Sequence, residues 1–183
     1  MLQHDLQRLL HARTLALRER SAGIARPLDP EQLVRRPPDG GWAVGHVLEH
    51  LCVTAELYEP PIRALLRDAR PDAAAPSREW KQTLIGGFGV RMFERPTKLP
   101  TPKSMVPAAT PRGGVVEQWL GHLDTQARLI EDASGYDWRR LRMASPALPL
   151  PLKVLNLGDA FFMLVTHAER HARQMERVVA TLA

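Results

Sequence analysis

The chain has 183 residues, 44% of them apolar, with a formal net charge of +5. Those values suit one ordinary domain spanning residues 1–183 with a true core, and they exclude a disordered chain. No apolar run reaches the roughly 18–20 residues a membrane span requires, and the polar start Met1-Leu2-Gln3-His4 has no signal-peptide character, so the expectation is a cytoplasmic protein without a membrane partner. The surplus charge is scattered arginine without a basic block, which argues against specific nucleic-acid binding. A single cysteine, Cys52, excludes an internal disulfide and a cysteine-rich zinc site. Its apolar surroundings predict a buried, inert thiol.

In chain order, Leu6, Leu9, Leu10, Leu15 and Leu17 recur at spacings of three and four, which predicts a first helix over 2–22 with Gly23 as its stop signal. Proline- and glycine-rich turn chemistry follows, ending at Gly41. A second helix is predicted from Trp42 to about Arg70, kinked or divided at Pro60 and Pro61. The stretch 70–112 carries seven prolines and the glycines Gly86, Gly87 and Gly89, and reads as a long irregular Pro-rich loop, packed down as a lid by Trp80, Phe88, Met92 and Phe93, with room for a short helix near 80–85. Val115, Val116, Trp119, Leu120, Leu123, Ala127 and Ile130 predict a third helix over 114–133. After a second connection over 136–153, Asn156 is the expected N-cap of a fourth helix reaching Leu182. Four long amphipathic helices with almost no strand signal predict an all-α four-helix bundle.

Ala160, Leu164, His167, His171, Met175 and Val178 form one inward stripe of the fourth helix, and burying an imidazole without a partner costs about 1–3 kcal/mol. A divalent metal is one reason to place two there, because residues at i and i+4 can chelate one ion through neutral imidazole. Ordinary interfacial histidines are the other. Glu169 lies about 200° around the helix from His167, so this is not the His-Glu-x-x-His arrangement of zinc proteases. That glutamate is expected to face solvent or a partner helix. On the second helix, His46 and His50 are likewise four apart and share a face. Periodicity does not choose between them as a third ligand.

The segment Trp42-Ala-Val-Gly-His46-Val-Leu-Glu-His50-Leu51 resembles the second-helix signature of the DinB/YfiT-like superfamily, and Asp159 through Val178, containing His167-Ala-Glu-Arg-His171, resembles its fourth-helix signature. The resemblance implies a DinB-like bundle of down-up-up-down type, commonly homodimeric. It also implies a divalent metal, most often zinc or nickel, on His50, His167 and His171. His46 then falls outside the triad, as a supporting or bundle-end residue. His122 is expected at the core edge or surface, and His4 and His11 at the surface.

A three-histidine site leaves positions for water or substrate, and a bound metal acidifies a water or thiol placed there. Relatives implied by the resemblance include S-transferases and an isomerase that use low-molecular-weight thiols. The leading expectation is therefore a metal-dependent enzyme that activates a small thiol, as an S-transferase does, or water, as a hydrolase does, toward a small-molecule substrate. Lys98 and Lys103 would be available to carboxylates of a thiol cofactor. No general base is evident, and Asp159 reads as an early-helix acid or as support for the site. The rival expectation is a non-catalytic, metal-binding or stress-related dimeric helical module.

Overall fold

The computed structural model describes residues 1–95, 99–148 and 152–182. Among these, four long helices carry the fold: α1 (Gln3–Ala25), α3 (Val44–Asp68), α5 (Val115–Asp132) and α6 (Leu157–Val179). Two shorter ones, α2 (Pro30–Val34) and α4 (Leu84–Glu94), and a two-residue ladder, β1 (Arg142–Met143) with antiparallel β2 (Leu155–Asn156), complete it. Each long helix buries one stripe. In α1 the buried positions Leu6, Leu10, Thr14, Leu17 and Ser21 follow the helical period, whereas Leu9 and Leu15, expected with them, face outward.

Cross-helix pairs give the topology. Arg13 meets Glu169 and Arg20 meets Glu176, so α1 and α6 run parallel. Arg18 meets Asp124 and Arg26 meets Glu117, so α5 opposes α1. Cys52 meets the Val115 carbonyl and Glu59 meets His122, so α3 runs with α5. The chain is thus a down-up-up-down four-helix bundle, in which α1 and α3 each pack on both α5 and α6.

Two apolar clusters fill the interior. One gathers Leu6, Leu10, Ile62, Trp138 and Phe161, and the other gathers Leu17, Val47, Leu48, Trp119, Ala172 and Met175. α3 continues as one helix through Pro60 and Pro61. α6 begins with a capping box: Asp159 N–H donates to Asn156 Oδ1 at 2.8 Å, and Asn156 N–H donates to Asp159 Oδ2 at 3.1 Å.

The expected irregular loop between α3 and α5 is corrected by α4. That helix starts at Thr83, whose hydroxyl accepts from Gly86 N–H. Its glycines are not turn signals; Gly86 and Gly89 face α6. A Cβ on Gly86 would stand 2.3 Å from the Asp159 carboxylate, and one on Gly89 would stand 2.7 Å from the end of Met163. Lys98 lies outside the described residues, and Lys103 is exposed on a 3-10 turn, Lys103–Met105. No described helix is long and apolar enough to cross a membrane.

Candidate metal centre

α3 and α6 run antiparallel, and their inward stripes bring His50, His167 and His171 together. The three offer one ring nitrogen each within 4.8 Å of one another. His167 Nε2 lies 3.2 Å from His50 Nε2 and 3.1 Å from His171 Nε2. His46 is not among them. It lies one turn nearer the start of α3, and its Nε2–H donates to the Ala109 carbonyl at 3.0 Å.

The surroundings fix the state of two rings. His50 Nδ1–H donates to the Met105 carbonyl at 2.6 Å, and His171 Nδ1–H donates to Gln174 Oε1 at 2.8 Å. In a neutral imidazole the other nitrogen is then a bare acceptor. The lone pairs of His50 and His171 therefore both face His167 Nε2, which has at most one proton to give. Burial drives His50 down in pKa. It also drives His171 down to about 3, and His167 well below its usual value, with the neighbouring imidazoles adding to the effect on both. A converging set of neutral imidazole lone pairs with too few protons to satisfy them is the donor chemistry a divalent ion satisfies. The two spacings around His167 Nε2 fit as well. Nitrogens held at roughly 2.0–2.1 Å on a tetrahedral ion stand about 3.3 Å apart.

Aromatic rings wall the cluster. Trp42 stacks near His171, with centroids 6.5 Å apart and planes at 24°, and tilts against His50 at 5.1 Å. Phe93, from the last turn of α4, lies 4.9 Å from His167. Arg170 Nη1 donates to the carbonyls of Phe93 and Arg95, which fastens that end of α4 to α6. The carboxylates flanking the ligands on α3 and α6 are already engaged. Glu169 takes a two-pronged ion pair from Arg13, at 2.7 and 2.8 Å, and so faces a partner helix. Glu49 is held by Arg112. Asp159 accepts from Thr83 Oγ1 at 2.7 Å as well as from Asn156, and so joins α4 to α6 away from the imidazoles; burial raises its pKa. His122 bonds Glu59 on α3, and His11 pairs with Glu131. His4 is partly exposed beside Asp5 and the Pro76 carbonyl.

Three contributors escaped the sequence reading. Gln174 follows His171 by three residues on the same helix face, a signal that was present. Phe93 was readable only as an aromatic in the lid. The Met105 carbonyl belongs to the backbone and carries no residue-type signal.

A bundle with a histidine from its second long helix and a His-x-x-x-His pair from its last defines a class of helical metal-site proteins. The chain belongs to the DinB superfamily, whose family model matches residues 13–175. Among solved structures it is similar to YfiT from Bacillus subtilis, described as "a probable metal-dependent hydrolase with an unusual four-helix bundle topology". The two are 14% identical with a TM-score of 0.61, over 96% of this chain and 87% of that one. No curated protein matches the sequence.

Proposed function

We propose that this protein is a metal-dependent enzyme whose divalent ion, zinc or nickel, is held by His50, His167 and His171, and that it hydrolyses a small-molecule substrate. The observation that supports the reading is the convergence of three neutral imidazole nitrogens, two of them oriented by outward Nδ1–H bonds to Met105 and Gln174. An ion so held supplies Lewis acidity and a lowered pKa to the molecule in its remaining position. The protein's part is to keep the rings neutral and fixed, with Trp42 and Phe93 lying against them. The description of YfiT as a probable metal-dependent hydrolase makes water the first choice of nucleophile.

A second reading, transfer to a small thiol, is favoured by the acids around the site. Glu49 and Glu169, which neighbour the ligands on α3 and α6, are each held by an arginine and so are not free to serve as a general base. A thiol needs less help than water to ionise.

Metal analysis of the purified protein is expected to give about one divalent ion per chain. His50→Ala, His167→Ala and His171→Ala each lose it, and His4→Ala keeps it. Retention of metal by His171→Ala rejects the site. The loaded protein is then offered activated esters and amides in water, and electrophiles with a panel of thiols. Ion-dependent turnover of the first set supports the hydrolase, and of the second set the transferase. Loading without turnover of either favours a non-catalytic binding module.

A further inference from the structure

Three side chains of α3 that share one face, His46, Glu49 and His50, all bond to the same downstream segment, residues 105–112. His50 Nδ1–H donates to the Met105 carbonyl at 2.6 Å, and His46 Nε2–H donates to the Ala109 carbonyl at 3.0 Å. Glu49 accepts from Arg112 three ways: backbone N–H at 3.0 Å, Nε at 2.9 Å and Nη2 at 2.8 Å. Arg112 also reaches Glu56. Pro111 lies on Gly45, where a Cβ would stand 3.1 Å from its ring and 2.9 Å from the Leu33 carbonyl.

Within this strap only Met105 is buried, and residues 108–110 are exposed. Apolar packing at its far end is limited to Pro111 against Gly45, and the polar pins on α3 hold the rest. These pins are poor devices for stability. Glu49 is a carboxylate of which only 5% of the side chain is exposed, against 31% for Arg112, and the desolvation cost of the buried partner offsets much of what the pair gains. His46 is buried as well, and its Nδ1 has no hydrogen-bond partner. Keeping that orphan lone pair is costly, and the ring's one donor goes to a carbonyl of an exposed loop. What the strap delivers in return is the Met105 carbonyl, which directs the His50 proton to Nδ1 and leaves Nε2 facing the other two imidazoles.

We propose that the strap is a positioning device for the metal centre: the Glu49–Arg112 and His46–Ala109 pins hold the Met105 carbonyl against His50, so residues that never touch the ion set its affinity. The inference rests on the three-histidine reading. Removing an outer partner of a metal-bound histidine commonly weakens metal binding by about 10- to 100-fold.

The test is zinc affinity of the full-length protein, measured by competition with a chromophoric chelator, together with long-range nitrogen–proton NMR of the His50 ring in the metal-free protein. Arg112→Ala and His46→Leu are expected to weaken zinc binding at least about tenfold and to turn the single Nδ1–H form of His50 into a mixture of tautomers. His46→Gln, whose amide can still donate to the Ala109 carbonyl, keeps both properties. Arg18→Ala, which breaks a remote ion pair with Asp124, also leaves both unchanged. Wild-type affinity and a wild-type His50 tautomer in both Arg112→Ala and His46→Leu would overturn the proposal. Should Arg112→Ala fail to fold, the His46→Leu and His46→Gln pair decides alone. Zinc binding that survives His50→Ala rejects the triad itself, and so is distinguishable from failure of the strap.

Discussion

At the scale of single residues the site is an arrangement of protons. His50 and His171 each direct their one N–H outward, and burial keeps the inner nitrogens bare. This has a consequence for stability. In the unfolded chain these histidines take up a proton near pH 6.5, but in the folded metal-free protein His171 resists until about pH 3 and His167 is also held far down. The unfolded state therefore binds more protons throughout that interval, so stability is full above about pH 6.5 and declines as the pH falls below it. Urea midpoints of the metal-free protein are expected to drop steadily between pH 7 and pH 5, above the range where carboxylates dominate. His171→Leu should flatten that slope. A flat wild-type profile over the interval would contradict buried neutral imidazoles. The residue scale is also where the sequence was most and least informative. The four-residue spacing of His167 and His171 required a shared helix face. His46 and His50 obey the same spacing and lie on a shared face too, so period alone did not separate them. Only the strap, arriving some sixty residues later, engages His46 with Ala109. Cys52 is as inert as its neighbours implied, with its thiol pushed up to about 12 by burial.

Among the elements, α4 shows how a rule of sequence reading inverts. Glycine disfavours a helix interior by roughly 0.5–1 kcal/mol relative to alanine, so Gly86, Gly87 and Gly89 among many prolines signal a loop. Here Gly86 is what allows α4 to approach α6, with Gly89 against the end of Met163, a tertiary demand that no local window contains. The two positions are not equivalent. Beside Gly86 the obstacle is the Asp159 carboxylate, fixed by Thr83 and by the α6 cap. Beside Gly89 it is the free end of Met163, which can turn aside. Gly86→Ala is thus expected to destabilise the protein by about 1–3 kcal/mol, the usual penalty for overpacking. Gly89→Ala should be near neutral, because alanine's helical preference offsets the small displacement. Thermal unfolding of the two variants checks this, and equal midpoints would mean that α4 does not dock as described. Trp80 makes a similar junction at the start of α6. Its indole N–H donates to Asn156 at 3.0 Å, and it lies so close to Gly158 that a Cβ there would clash.

For the molecule as a whole, the amphipathic periods were enough to place four helices and so the class of fold, but not their directions. Those follow from side-chain pairs between helices distant in sequence. The up-up relation of α3 and α5 has a cost in chain: after 25 residues of α3, about 37 Å at 1.5 Å per residue, the backbone must return before α5 can start alongside. The segment between them makes that return, and places both Phe93 and the Met105 carbonyl beside the imidazoles on the way. The three-histidine cluster then ties α3 to α6 across the bundle, so an ion held there links two helices that an unfolded chain cannot hold together. Binding confined to the folded state adds about 4 kcal/mol when free ion exceeds its dissociation constant a thousandfold. At about 2–4 °C per kcal/mol for a chain of this size, zinc or nickel should raise the melting temperature by about 8–16 °C, and a chelator should reverse the rise. His50→Ala and His167→Ala should melt at temperatures independent of added metal, whereas the exposed ion-pair variant Arg26→Ala should shift with metal as the wild type does. A metal-induced rise that persists in His50→Ala would mean that the stabilising ion binds somewhere other than between α3 and α6.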